Sequence, residues 1–233
     1  MLEKNLANIK HRIKKIATRV NRSSDDIKLV AVSKRISSEK VIKAIDLGQL
    51  IFGENYVQEA NDKIPFIKST ARQNILFHFI GKLQSNKAKK AAELFDVIET
   101  VDSIKLGLAL DKQCANLNKS LTAYIQVNIA REKQKSGVQP EECEKILHDL
   151  AKCNFLRITG LMTMPPFFAD PEEVRPFFKQ LRQLSEELTA KGLLGHHGPV
   201  ELSMGMSGDF EVAIEEGATV VRVGTAIFGT RDQ

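Results

Sequence analysis

Eight short runs rich in β-branched and aromatic residues alternate along this chain with longer helix-patterned segments, and that alternation restricts the fold more than any other feature. The runs are Ile27–Ser33, Leu50–Phe52, Leu76–Ile80, Val97–Glu99, Thr122–Asn128, Leu156–Met162, Val200–Leu202 and Thr219–Val223. Helices are expected between them near 37–47, 54–65, 85–94, 103–117, 140–152, 171–191 and 207–216. Ser37 and Ser38, then Asp102 or Ser103, stand where helix N-caps belong. Pro140-Glu141-Glu142 and Pro171-Glu172-Glu173 put proline and acids in first turns, where the missing N–H is harmless and the dipole favours negative charge. Strands that alternate with helices imply a parallel sheet covered by helices. Eight such units predict a closed α/β barrel of the (β/α)8 TIM type, with a doubly wound open sheet as the rival. With no linker or composition shift, residues 1–233 are expected to form one domain.

Leu2, Leu6, Ile9, Ile13, Ile16 and Val20 step by helical intervals, so an extra N-terminal helix precedes the first strand. Its lysines and arginines raise a transit peptide as the alternative, but the stripe runs into the first strand without a cleavage-like break. No run of 18 uncharged apolar residues occurs, so no membrane span is expected. Cys114, Cys143 and Cys153 are too few and too scattered for a disulfide framework or a zinc site, and fit a cytoplasmic protein. The net charge of +5, from 34 basic and 29 acidic residues, favours anionic ligands. The interspersed acids speak against nucleic acid.

Barrel sites lie where strands end. Strand one ends Val30-Ala31-Val32-Ser33-Lys34, and alternation places Val30, Val32 and Lys34 on one face. Lys34 is then expected over the barrel mouth, partly desolvated and nucleophilic; a surface lysine is the plain alternative. Strand seven runs into Ser203-Met204-Gly205-Met206-Ser207-Gly208, and strand eight into Arg222-Val223-Gly224-Thr225. Glycines, hydroxyls and free amides at both ends predict a phosphate cradle. Arg222 alternates with Val220 and Gly224 and is expected in the same mouth as Lys34, the alternative being a buried structural ion pair. Neither GxGxxG nor a Walker-type motif occurs, which argues against a dinucleotide or nucleoside triphosphate. An amine nucleophile beside a phosphate cradle leaves two chemistries open: a Schiff-base aldolase for a sugar phosphate, or a pyridoxal phosphate site.

Six segments then carry a resemblance over nearly the whole chain: Ala31-Val32-Ser33-Lys34, Phe52–Glu59, Phe77–Lys87, Gly160-Leu161-Met162-Thr163-Met164, Leu202–Ser207 and Val221–Gly229. The chain resembles the pyridoxal phosphate homeostasis proteins, single barrels similar to the alanine racemase N-terminal domain. The resemblance implies that pyridoxal 5'-phosphate is held as a Schiff base on Lys34. It implies that Ser203, Ser207, Gly224 and Thr225 hold the phosphate and that Arg222 faces the pyridine nitrogen. Asn55 and His78 would line the ring, with Met162 and Met204 giving apolar contact; a satisfied core histidine and ordinary core methionines are the plain alternatives. It implies a cofactor carrier without turnover, one that passes the cofactor to acceptor enzymes or limits the free aldehyde. An amino-acid racemase or decarboxylase is the alternative. An arginine at the ring nitrogen disfavours its protonation and weakens the electron sink that carbanion chemistry needs. Racemases of the related fold dimerise through a second domain that also supplies the other base. A chain of this length has no room for one, so a monomer with no catalytic residue is expected. Lys82, Lys87, Lys89 and Lys90 are read first as a solvated helix face, with a second anion or partner surface there or at 131–137 as the alternative. His196-His197-Gly198 is read as a loop at the opposite end of the barrel.

Overall fold

The computed structural model describes residues 1–229. Eight parallel strands close in sequence order into a barrel. They are β1 Lys28–Val32, β2 Ile51–Glu54, β3 Leu76–Phe79, β4 Val97–Val101, β5 Leu121–Gln126, β6 Leu156–Met162, β7 Glu201–Ser203 and β8 Val220–Val223. The helices are α1 Leu2–Arg19, α2 Ser38–Asp46, α3 Val57–Thr70, α4 Ala88–Leu94, α5 Ile104–Asn116, α6 Cys143–Leu150, α7 Arg175–Ala190, α8 Phe210–Glu215 and α9 Thr225–Phe228. All eight expected strands are present within a few residues of their expected ends. No described helix is long and apolar enough to cross a membrane.

Closure comes from β8 pairing with β1 in the register Lys28↔Val220, Leu29↔Val221, Val30↔Arg222, Ala31↔Val223. Two apolar layers result from strand alternation. One holds Val30, Val97, Tyr124, Met162 and Val220, the inward-facing fill of a barrel. The other, much larger, joins the outward side chains of the strands to the helices. Tyr124 donates its hydroxyl hydrogen to Glu201, which also pairs with Lys28 at the start of β1. These polar groups tie three strands together across the end of the barrel opposite the strand C-termini.

The N-terminal stripe packs as expected. Leu6, Ile9, Ile13 and Ile16 are buried, contributing about 6–12 kcal/mol of gross apolar burial before chain entropy is subtracted. The helix lies against α8 and α9, where the Asn5 amide donates to Ile227 O at 3.0 Å and Arg12 pairs with Glu211 at 2.9 Å. Ser103 is the hydroxyl that caps α5, accepting from the Leu106 amide at 3.3 Å.

Three elements depart from the sequence reading. Helix α3, expected near 54–65, spans Val57–Thr70 because β2 extends to Glu54 and because the helix continues through Pro65. Buried Ile64 and Ile67 hold that last stretch against the loss of a backbone hydrogen bond, which costs about 3 kcal/mol in a helix interior. β4 runs on past Glu99 to Val101 with every residue buried. Its register shifts between Ile98 and Val101, and such irregularities re-aim side chains beside sites. The third departure is the short helix α9, which comes directly after β8.

Candidate functional site

The strand C-termini surround one cavity of about 560 Å³, within the roughly 300–1,000 Å³ of small-ligand pockets. Seven of the ten residues expected to contact the cofactor line it: Lys34, Asn55, Met162, Ser207, Arg222, Gly224 and Thr225. Lys34 comes after β1, two positions beyond Val32 on the same face, and is half-buried. Val32, Ile80, Met162, Met164 and Phe167 supply apolar wall, and Lys82, Thr100, Gln126 and Lys135 polar wall. Phe167 is 83% exposed at the rim, so it leaves apolar surface free for a ligand.

The loops after β7 and β8, beside β1 in the closed sheet, meet at the same cavity. Ser207 Oγ accepts from the Gly224 amide at 3.3 Å and lies 3.2 Å from Thr225 Oγ1. Gly205 makes this approach possible. Its φ is +93°, and a Cβ there would stand 2.6 Å from Ala213 Cβ and 2.9 Å from Phe210 Cα. The Met206 amide is held by Asp209 Oδ1 at 2.5 Å. On the far side, Gly81 allows the β3 loop to pass over Asn55, whose carbonyl oxygen would be 2.1 Å from a Cβ at that position. Asn55 Oδ1 is buried without a hydrogen-bond partner among the described residues, and a buried acceptor left open at a cavity wall suits a ligand donor.

His78, Ser203 and Met204 do not line the cavity, which departs from the ring and phosphate contacts expected of them. Met204 comes after Ser203 on the alternate face and packs in the outer core. His78 and Ser203 are buried in a polar unit centred on Glu99, a residue read from sequence only as a strand end. His78 Nδ1 lies 2.6 Å from Glu99 Oε1. Ser203 Oγ donates to Glu99 Oε2 at 2.5 Å and accepts from Arg222 Nη1 at 2.5 Å. Arg222 Nη2 donates to Thr163 O at 2.8 Å, and Nη1 stands 3.7 Å from Glu99 Oε2. Burial pushes the Glu99 carboxyl up, but the hydrogen bond and charge of His78, with Arg222 and Ser203, outweigh it and hold the pKa below the usual carboxylate value. Burial lowers the Arg222 pKa, and Glu99 and Asp209 oppose that shift.

A second buried ionic unit braces the backbone around Lys34. The Lys63 ammonium donates to Ser33 O at 2.8 Å, to Glu54 Oε1 at 2.9 Å and to Glu59 Oε1 at 2.6 Å. Ser33 Oγ donates to Glu54 Oε1 at 2.7 Å, and the Arg35 amide donates to Glu59 Oε1 at 2.7 Å. Residues 33 to 35 are therefore fixed on both sides of Lys34, with Arg35 in the left-handed region at φ 58°. Desolvation pushes the Glu54 carboxyl up despite Lys63.

The basic segments are not only solvated faces. Lys82 lines the main cavity and, with Lys87, Tyr56, Gln58 and Gln84, a neighbouring one of about 220 Å³. Gln134, Lys135 and Ser136 reach the main cavity from the loop after β5. His196 and His197 are exposed in the loop before β7, as expected. No group of three His, Cys, Asp or Glu among the described residues could hold a metal ion.

Fold and site together define a barrel of the alanine racemase type: the family "Alanine racemase, N-terminal domain" matches residues 5–232. The alanine racemase of Clostridium difficile 630 shares the fold, with a TM-score of 0.71 at 16% identity over 100% of this chain and 56% of that one. Nearer relatives narrow the class. The pyridoxal phosphate homeostasis protein of Escherichia coli (strain K12) is 42% identical over 98% of this chain and 96% of its own. The structure of PipY from Synechococcus elongatus PCC7942 with PLP bound has a TM-score of 0.84 and 34% identity, covering 98% of this chain and 100% of that one. The chain belongs to the pyridoxal phosphate homeostasis protein family.

Proposed function

We propose that this protein binds pyridoxal 5'-phosphate through a Schiff base on Lys34 and serves cofactor homeostasis rather than turnover. The observation that carries the reading is the convergence of Lys34, Arg222 and the Ser207, Gly224 and Thr225 donors on one cavity. The donor set fits the group. Hydroxyl and amide hydrogens suit a phosphate, an amine suits an aldehyde, and the open Asn55 acceptor suits a hydroxyl. When bound, the cofactor supplies an aldehyde that condenses with an amine and a ring that can accept electron density. PipY with PLP bound, a relative over the full chain, supports the same reading.

Lys34 is the amine, presented over the mouth by β1 and held by the backbone contacts of residues 33 to 35. Ser207, Gly224 and Thr225 hold the phosphate. Arg222 donates an N–H toward the ring nitrogen, which keeps that nitrogen unprotonated and weakens carbanion stabilisation. Met162 gives an apolar contact, and Asn55 accepts from the ring's hydroxyl. Among the described residues the cavity wall carries no carboxylate, histidine or tyrosine, and its charged groups are Lys34, Lys82, Lys135 and Arg222. That composition favours a carrier over a racemase or decarboxylase, which needs paired proton carriers. The whole chain acts as one cofactor-binding unit, monomeric, cytoplasmic and able to pass the cofactor to acceptor enzymes; three free cysteines are consistent with a reducing compartment.

Borohydride reduction of the cofactor-loaded protein and then peptide mass mapping tests the covalent assignment. The reading requires the adduct on the Lys34 peptide, and an adduct confined to other lysines refutes it. Exchange of amino-acid α-protons with deuterated solvent separates carrier from enzyme: exchange at enzyme-like rates on any of a panel of amino acids would make it an enzyme.

A further inference from the structure

We infer that Glu99 is a positioning residue for the cofactor ring: through Ser203 it holds the Arg222 guanidinium at the cavity and balances its charge. The inference rests on the cofactor reading above and adds a residue to it. Arg222 is the member of the buried unit that lines the cavity; His78, Glu99 and Ser203 do not. Whatever these three do for a ligand, they do through the guanidinium.

The hydrogen bonding of the unit runs one way. Ser203 has one hydroxyl hydrogen, and it goes to Glu99 Oε2, so the Ser203 oxygen can only accept from Arg222. The other carboxylate oxygen is taken by His78, which as partner of an ionised carboxylate donates from Nδ1. Two Arg222 nitrogens are thereby committed, one to Ser203 and one to Thr163 O. The guanidinium cannot rotate without breaking a chain that spans β3, β4, β7 and β8. A fully buried carboxylate and a 4% exposed arginine are a costly way to fill a barrel. Apolar side chains of similar volume would serve stability as well or better. What the ionic unit provides, and apolar filling cannot, is a cation of fixed orientation at the cavity floor with the Glu99 carboxylate as counter-charge behind it.

That balance sets the field at the Schiff base. The other charged groups of the cavity wall are Lys34, Lys82 and Lys135, all cationic; Asp209 faces Arg222, and Tyr124 lies near Glu99. Neutralising Glu99 leaves every one of these in place and uncovers the positive charge of Arg222. A protonated Schiff base is then disfavoured, and its pKa falls.

The test is a pH titration of the visible absorbance of full-length protein loaded with pyridoxal phosphate, with folding monitored separately by circular dichroism. Glu99→Gln should lower the pKa of the Schiff base by about 1 unit or more, and Glu99→Asp, which keeps the charge, should return most of the shift. A folded E99Q protein that titrates with the wild type overturns the inference, because a purely structural role would change stability alone. Where E99Q does not fold, Ser203→Ala removes the bridge and keeps both charges. A rise in the cofactor Kd of about tenfold is then expected from the loosened guanidinium, and an unchanged Kd in folded S203A overturns the inference. A wild-type protein without any visible band refutes the cofactor reading itself, whereas a band that ignores Glu99 refutes this inference alone.

Discussion

Replacing Lys63 by methionine keeps the aliphatic stem and removes one ammonium, and the contacts of that ammonium set the cost. Lys63 is 7% exposed and all three of its N–H donors are used, on Ser33 O, Glu54 and Glu59. Its loss leaves the fully buried Glu54 carboxylate with a single donor, Ser33 Oγ. Breaking one side of a buried pair costs about 3–5 kcal/mol. At roughly 2–4 °C per kcal/mol for a chain of this size, Tm should fall on the order of 10 °C. The loss should depend on pH. Burial already raises the Glu54 pKa in the folded protein, and removing Lys63 raises it further. A raised carboxylate pKa favours folding fully below the unfolded value and loses that contribution as pH rises through the folded value. Lys63→Met should therefore be less damaging near pH 5 than at pH 7. Urea denaturation of wild type and variant at the two pH values measures this, and adding Glu54→Gln should recover part of the stability. A loss under about 1 kcal/mol that is equal at both pH values would refute the reasoning.

Two further changes test the phosphate side. Gly205→Ala forces a Cβ against Ala213 and Phe210 at φ +93°, so denaturation should show a loss of about 2 kcal/mol or more, with weaker cofactor binding. Ser207→Ala removes a hydroxyl that meets Gly224 and Thr225 at the cavity; pyridoxal phosphate affinity should fall about tenfold by fluorescence titration while Tm moves little.

The barrel was legible because each unit announces itself locally, by period, cap and turn residues. Lys34 and Arg222 were legible for a related reason: alternation along β1 and β8 carries both side chains into the mouth. The donors at Ser207, Gly224 and Thr225 were marked by glycine and hydroxyl residues just past strand ends. Glu99 carried no such mark. A charged residue after Val97-Ile98 looks like the end of a strand, and only the closed sheet shows it buried between His78 and Ser203. Lys63 was equally silent: its pairing with Glu59 at i,i+4 looks like an ordinary surface helix pair, and only the fold brings the end of β2 at Glu54 and the backbone of Ser33, 30 residues away, against its ammonium. Ser203 and Met204 were placed by position past a strand, but the orientation of each depends on where β7 ends, and one residue of shift exchanges core for mouth.

The central claim is that Lys34 holds the cofactor, and the absorption spectrum of purified protein incubated with pyridoxal phosphate tests it most directly. Wild type should show the visible band of a Schiff base, and Lys34→Ala, folded, should lack it. A colourless wild-type protein, or an undiminished band in the Lys34→Ala variant, would contradict the account.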